Sequence, residues 1–483
     1  MRLHRRHLLQ SSLLWPLSSL SAKRALGMSA ITEERPEKLL IVLAAGGGAS
    51  LVDSFLPVVA QSDNRDIRSY SEAMIDTVPG IQLQTLKSLP YTVGKPTNTS
   101  YTMASFLQRH GQDLAVLTQT CSSVNHLIGS QRSLNGNGIN KGRTLMEAVA
   151  AAYGQQCLLA NVNMATGGYA LHGTDSTLPR TAKAEVVADA LLFPLGLHRD
   201  LKIEGRADSK LLAEARAVRD ALDQKSPLGG EASRSALIRE FLTLRQQIPR
   251  LEAAQVMESL MFFDQARQQG GRDDRFADSS LLQKVRERFP HYASDPLEAQ
   301  AALSFLLLRY GLSTAVTLGL DDQVRFQDGA QDKELLHLPL AFDWSHNAHQ
   351  GAQNTMWRRL LSVLDRLIQL LKEEDYLGTA AHGKIWERSL LYIATEFGRD
   401  REPTQGSGHN LNNGHVLLSP LLKGNRVYGG VDPRTGMTFG YDPRTGLADP
   451  GRQMQEADTY SAILGALGIR FAGQTDCSGL WRA

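Results

Sequence analysis

A chain of 483 residues, 42% apolar and 21% charged, has the make-up of an ordinary globular protein and is long enough for one elaborated domain. A formal net charge of +2, with Lys and Arg scattered among acids, excludes a phosphate-tracking stripe and gives no support to a nucleic-acid partner. Three cysteines, Cys121, Cys157 and Cys477, exclude a disulfide framework; one pair could form, and the odd thiol argues against a cysteine-built metal site.

Residues 1–30 look like an export signal. Arg5-Arg6 is followed by His7-Leu8-Leu9 and a modestly apolar run to Leu20, which resembles a twin-arginine leader, the bacterial route for proteins exported already folded. The expected location is periplasmic or secreted, with a cytoplasmic protein carrying a basic tail as the alternative. No other apolar run is long enough to span a bilayer, so no transmembrane segment is expected in the mature chain.

From about residue 37 the pattern is α/β. Leu39 to Leu43 is a continuous apolar run, as expected of a strand buried on both faces, and it enters the glycine-rich turn Ala44 to Ser50. Such a turn can offer backbone N–H groups to an anion. It lacks the Walker lysine, and Leu51 stands where a dinucleotide fingerprint wants glycine, so no nucleotide cofactor is expected. Ser50, with Asp53 three residues on, is either a nucleophile or a helix cap.

Helical spacing over Thr102 to His110 precedes a second strand, Leu114 to Leu117. His126 falls just past it, ahead of a Gly- and Asn-rich stretch from Gly129 to Gly142 that is expected to be a loop, and is a candidate ligand or acid/base. A helix over Thr144 to Tyr153 and a strand within Gln156 to Val162 follow. Between about 180 and 290 strands vanish: Leu237, Phe241, Leu244, Ile248 and Leu251 recur at helical steps, predicting a helical insertion kinked at Pro249.

Pro296 to Tyr310 and Leu312 to Leu318 return to helix and strand. Asp343, His346 and His349 then lie at steps of three in a segment without sustained periodicity. They form the densest cluster of imidazole and carboxylate in the chain, ligand types suited to zinc and related ions. An amphipathic helix over Trp357 to Leu371 leads to Leu390-Leu-Tyr-Ile-Ala-Thr395, a buried strand that ends at Glu396, Gly398 and Arg399. Ligands in open α/β sheets bind beyond the carboxyl ends of strands, so Glu396 is where a site would be built, although an ion pair with Arg399 is the plainer alternative. A polar loop containing His409 follows, then two copies of D-P-R-T-G, at Asp432 and Asp442, that predict hairpin turns, and a last helix over Tyr460 to Leu467.

The twin-arginine-like start, G-G-G-A-S followed by L-V-D-S-F, N-H-L-I-G at Asn125, W-S-H at Trp344, T-E-F-G-R at Thr395, G-H-N at Gly408 and G-N-R-V-Y-G-G-V-D at Gly424 together span most of the chain. In that order they resemble the alkaline-phosphatase/sulfatase superfamily, and within it the exported branch called domain of unknown function 1501. The resemblance implies a single three-layer α/β domain over 37–483, with a mostly parallel sheet and the helical insertion. It also implies a metal-dependent hydrolase of phosphate or sulfate esters, acting on a small anionic ester or a glycan. Carried over, Ser50 would be the nucleophile or anion contact, His346, Glu396 and His409 would hold a divalent metal such as zinc, and Arg399 would face the substrate anion. The chain departs from the pattern where the acid two residues before His346 is replaced by Trp344 or displaced to Asp343, where Ser407 stands two before His409, and where the first strand ends in Ala44-Ala45 instead of a metal-binding aspartate. Each lost carboxylate removes ligand charge. The alternative is therefore a catalytically silent scaffold serving cell-surface assembly or binding of a partner or glycan.

Overall fold

The computed structural model describes residues 38–89, 100–196, 208–232, 234–245, 256–262, 280–319, 324–326, 336–338 and 342–482. The expected export signal lies outside them. A central sheet is built from β1 (Leu39–Ala44), β2 (Leu114–Thr120), β3 (Asn161–Asn163), β4 (Glu185–Val186), β5 (Ala315–Gly319), β6 (Ser389–Ala394), β7 (Asn412–Leu418) and β8 (Arg426–Tyr428). Their order across the sheet is β8-β2-β7-β6-β1-β5-β3-β4. Every neighbouring pair is parallel except the two made by β7, which runs antiparallel to β6 and β2.

The two uninterrupted apolar runs of the sequence become the centre of the sheet. β1 and β6 pair in register, Leu39 with Ser389 through Ala44 with Ala394, and all twelve residues are buried. Helices cover both faces, giving three layers. Leu40, Val42, Leu390 and Tyr392 share one apolar core with side chains of α2 (His126–Asn135), α3 (Leu145–Tyr153) and α6 (Glu456–Ala466). The alternate residues Leu39, Ile41 and Leu43, also fully buried, point to the other face. There α4 (Pro296–Arg309) lies on β5 and packs against α5 (Ser345–Glu373), which in turn packs against α1 (Met103–His110).

Two helices begin earlier than the spacing of apolar residues predicts. α2 occupies part of the stretch expected to be a loop: the side chain of Asn125 accepts from the Ile128 N–H and starts the helix at His126. α5 starts at Ser345, twelve residues before Trp357, and is kinked at Ala348 (φ −146°, ψ 74°). The short strand β4 lies within the region expected to be wholly helical.

Ser209–Val256 belongs to a second compact unit. Its described helices span Ser209–Lys225, Pro227–Ala232 and Ala236–Arg245, and Arg245 pairs with Asp220 at 3.0 Å and Asp223 at 2.6 Å. Pro249 lies outside the described residues. Both D-P-R-T-G copies form hairpin turns, closed by Asp432 N–H to the Met437 carbonyl and Asp442 N–H to the Leu447 carbonyl, each 2.9 Å. The three cysteines are buried and no disulfide joins them. No helix among the described residues is long and apolar enough to cross a membrane.

Candidate functional site: a histidine cluster at the carboxyl edge of the sheet

The parallel strands deliver their carboxyl ends to one edge, and the chemistry-bearing residues gather there. β6 runs out into Thr395-Glu396. Two residues on, Gly398–Arg399 pairs antiparallel with His409–Asn410, which sets Arg399 directly opposite His409. β1 ends in the glycine-rich turn, β2 leads to His126 at the start of α2, and the first turn of α5 carries His346.

Glu396 is buried, and both its oxygens are occupied. Oε1 accepts from the Gly47 N–H at 2.7 Å and from His126 Nδ1 at 2.9 Å, and Oε2 accepts from the Tyr169 hydroxyl at 2.6 Å. Gly129 of α2 allows this approach, since a Cβ there would stand 2.8 Å from the Glu396 carbonyl oxygen. Gly47, at φ +94°, is required in the turn because a Cβ would come within 2.4 Å of the Asp343 backbone nitrogen.

Around the mouth of this edge stand Asp343 and three histidines. The Oδ1 atom of Asp343 lies 3.3 Å from His346 Nε2, 3.5 Å from His126 Nε2 and 4.0 Å from His409 Nε2, and the Nε2 atoms of His346 and His409 are 3.0 Å apart. For His126, Asp343 and His409, the three ligand atoms all fall within 4.8 Å of one another. His409 is stacked on the buried ring of Phe397, centroids 4.1 Å apart. Tautomers follow from the partners. His409 Nδ1 faces the Val124 carbonyl at 2.9 Å and His126 Nδ1 faces a carboxylate, and these oxygens only accept. His409 therefore carries its proton on Nδ1 and turns an Nε2 lone pair toward His346, while His126 donates from Nδ1 to Glu396 and faces Asp343 with Nε2. Burial, with the Arg399 charge nearby, pushes the His409 imidazole below its usual range and keeps it neutral.

The Nε2 atoms of His346 and His409 sit at hydrogen-bond distance, so a cation entering the cluster would take the place of the proton they share. Donor atoms around a tetrahedral zinc stand about 3.3 Å apart, close to the spacings here. The donor set of neutral imidazoles and one carboxylate is that of a borderline-soft divalent ion, so these residues fit a metal. The Nδ1–H of His126 on Glu396 is the outer hydrogen bond that orients such ligands.

Arg399 lies beneath the cluster and is fully buried. Its guanidinium donates to the carbonyls of Gly47, Gly48, Phe342 and Ser407, to Asp343 Oδ1 at 3.1 Å and to His346 Nε2 at 3.3 Å. It fixes Asp343 and the glycine-rich turn, and acts on an anion outside only through its charge.

The remaining sequence candidates are placed apart from this cluster. Ser50 is fully buried; its hydroxyl donates to Asp53 Oδ2 at 2.5 Å, and that oxygen lies 2.9 Å from Nε2 of the fully buried His349. Tyr70 donates to the other Asp53 oxygen at 2.6 Å, and Arg401 stands 3.8 Å away. Burial alone would raise the Asp53 carboxyl; His349, Arg68 and Arg401 outweigh it and hold the group well below the usual carboxylate range. The glycine-rich turn is likewise filled: the N–H groups of Gly47, Ala49, Ser50 and Leu51 donate to Glu396, Thr395, Gln353 and Asn413. An anion finds these four N–H groups already engaged.

Sequence reasoning missed Tyr169, for which a loop G-G-Y-A gives no signal. It also missed Arg401, which the alternation of Arg399 and Arg401 along an extended segment does flag.

No family model matches this chain, and no curated protein matches it. Among solved structures, the lipoteichoic acid synthase LtaP from Listeria monocytogenes is similar at 10% identity and a TM-score of 0.33, over 95% of this chain and 82% of that one. A 2-O GAG sulfatase is similar at 7% identity and a TM-score of 0.28, over 91% and 72%. At these scores the chemistry of the site rests on this chain's own side chains.

Proposed function

We propose that the chain is an exported metal-dependent hydrolase of phosphate or sulfate esters, built on an alkaline-phosphatase/sulfatase-like fold. The observation that supports this is the convergence of Asp343 Oδ1 with the Nε2 atoms of His126, His346 and His409 at the carboxyl edge of the sheet. A divalent ion such as zinc would supply Lewis acidity toward an ester oxygen. Glu396 keeps the His126 proton on Nδ1, Arg399 holds Asp343 in place, and the buried guanidinium adds positive charge below an entering anion. Hydrolysis breaks the bond between phosphorus or sulfur and the alcohol oxygen; a water oxygen takes its place and the alcohol leaves with a proton. With the Ser50 hydroxyl buried against Asp53, solvent water fits the role of nucleophile better than Ser50.

The same sealing of Ser50, and the engaged N–H groups of the glycine-rich turn, favour a second reading: a catalytically silent scaffold for surface assembly or for binding a partner or glycan. The deciding experiment is metal analysis of the purified chain beside His409→Ala, followed by a screen with aryl phosphates and aryl sulfates. The hydrolase reading expects about one bound ion per chain, lost in the variant, and ester turnover that depends on it. No metal in either sample, together with no turnover, leaves the silent scaffold. Replacing Arg5-Arg6 by Lys-Lys should retain the protein in the cytoplasm, as immunoblots of cell fractions would report.

A further inference from the structure

We infer that the ester handled at the histidine cluster carries an aliphatic chain on its alcohol side, seated on a rim of exposed aliphatic side chains that borders the cluster. This rests on the hydrolase reading and adds the substrate class to it. Val124, Leu127, Ile128, Leu171 and Leu411 are between 40% and 53% exposed. Single exposed leucines are ordinary, but a group around a polar centre marks a binding surface.

Each of the five is tied to the cluster by the chain. The Val124 carbonyl takes the His409 Nδ1 proton at 2.9 Å. Leu127 and Ile128 follow His126 in the first turn of α2. Leu171 is bonded to Gly168, which lies so close to α2 that a Cβ on it would stand 2.4 Å from the Leu127 carbonyl oxygen. Leu411 sits two residues past His409, and its carbonyl accepts from the Cys121 N–H at 2.7 Å, on the segment that leads to Val124.

The composition of these three segments selects the occupant. Residues 121–131, 160–174 and 403–422 contain no Lys, Arg, Asp or Glu. Asn125 and Asn410, which would suit a sugar hydroxyl, spend their side-chain oxygens on the N–H groups of Ile128 and Asn412. Arg132, which follows the first segment, spends its Nη1 on the Ser122 carbonyl and hydroxyl; a polyanionic glycan would therefore meet one already engaged cation beside this rim, whereas an alkyl chain gains by leaving water. The anionic head then lies over the histidines and Arg399, and the chain lies across Leu127, Ile128 and Leu411.

The test is calorimetric titration of the metal-loaded protein with butyl, hexyl and octyl phosphonate, which resist hydrolysis, below the concentrations at which they self-associate. Affinity should rise about two- to fourfold per added methylene. The double variant Leu127→Ser/Ile128→Ser, and Leu171→Ser on a separate segment, should flatten the series and leave the affinity for inorganic phosphate unchanged. Affinities independent of chain length in the unaltered protein overturn the inference; if short aryl esters are nevertheless turned over, the hydrolase reading stands without it. Length-dependent binding with no ester turned over supports the apolar seat and defeats the hydrolase reading. Light scattering covers the remaining occupant: a dimer that the double variant dissociates, with length-independent binding, assigns the rim to a second copy of the chain and overturns the inference.

Discussion

Two groups of histidine and carboxylate lie at the same edge of this sheet and have opposite characters. In one, Asp53 and His349 are sealed among Ser50, Tyr70 and Arg401, and the carboxylate meets donors on both oxygens. In the other, Asp343 and three histidines stand near the surface with their Nε2 atoms gathered around one carboxylate oxygen. The residue types are nearly the same. What separates a structural knot from a candidate metal centre is access: the Asp53 carboxylate is engaged on both oxygens, and although His349 Nδ1 and an Arg401 Nη2 lack a hydrogen-bond partner they are buried, whereas the Asp343 group stands where a ligand can enter.

That contrast breaks most visibly when one carboxylate is removed from each group. Asp53→Ala leaves His349, Tyr70 and Arg401 buried without their anion and should cost about 3–5 kcal/mol of unfolding free energy, measured by urea denaturation. A loss under about 1 kcal/mol would show that the knot is not what holds this edge.

Acid titration sharpens the same distinction. Burial pushes the His415 imidazole down to about 3 from its ordinary 6.5, and burial also lowers His349. A histidine neutral in the folded chain but protonated in the unfolded one confers stability that is fully present above the unfolded value and is lost as pH falls toward the folded value. For His415 that window runs from 6.5 down to 3, at about 1.4 kcal/mol per pH unit. Unfolding free energies measured across it should show this slope, and His415→Gln should reduce it.

Glu396→Gln tests the support beneath the exposed group. The amide keeps the shape but brings an N–H₂ group to a site where Gly47, His126 and Tyr169 all donate. Stability should fall by about 1–2 kcal/mol and metal affinity about 10- to 100-fold, measured by competition with a chelator. The smallest structural effect is expected at His409, which stacks on Phe397 and is partly exposed: His409→Ala should cost about 0.5–1 kcal/mol while abolishing metal retention. If it unfolds the protein instead, the exposed cluster is also a structural element and the contrast fails.

The frame of the molecule was open to inspection in the sequence wherever burial on both faces forces an unbroken apolar run. Leu39 to Leu43 and Leu390 to Ala394 declare themselves as strands, and they are neighbours in register. The first turn of α5 was hidden because it is rich in polar residues, and that of α2 because its aliphatic residues Leu127 and Ile128 are exposed while Gly129 takes the buried side, so the apolar period that identifies a helix is absent from both. The steps of three from Asp343 to His349 did mark chemistry, yet they could not show that His346 turns to the surface and His349 into the knot. That division is made by the Ala348 kink, a tertiary feature. Tyr169 meets Glu396 across 227 positions of chain, a distance over which local pattern carries no information.

The kinked first turn of α5 has a mechanical consequence. His346 and His349 are three positions apart with the Ala348 kink between them, and the Ser345 carbonyl and His349 N–H that a regular helix would join are engaged instead by Ser407 and Gln405. The first turn of α5, which carries His346, is thereby laced to the segment that leads to His409 by backbone bonds on both sides of the kink.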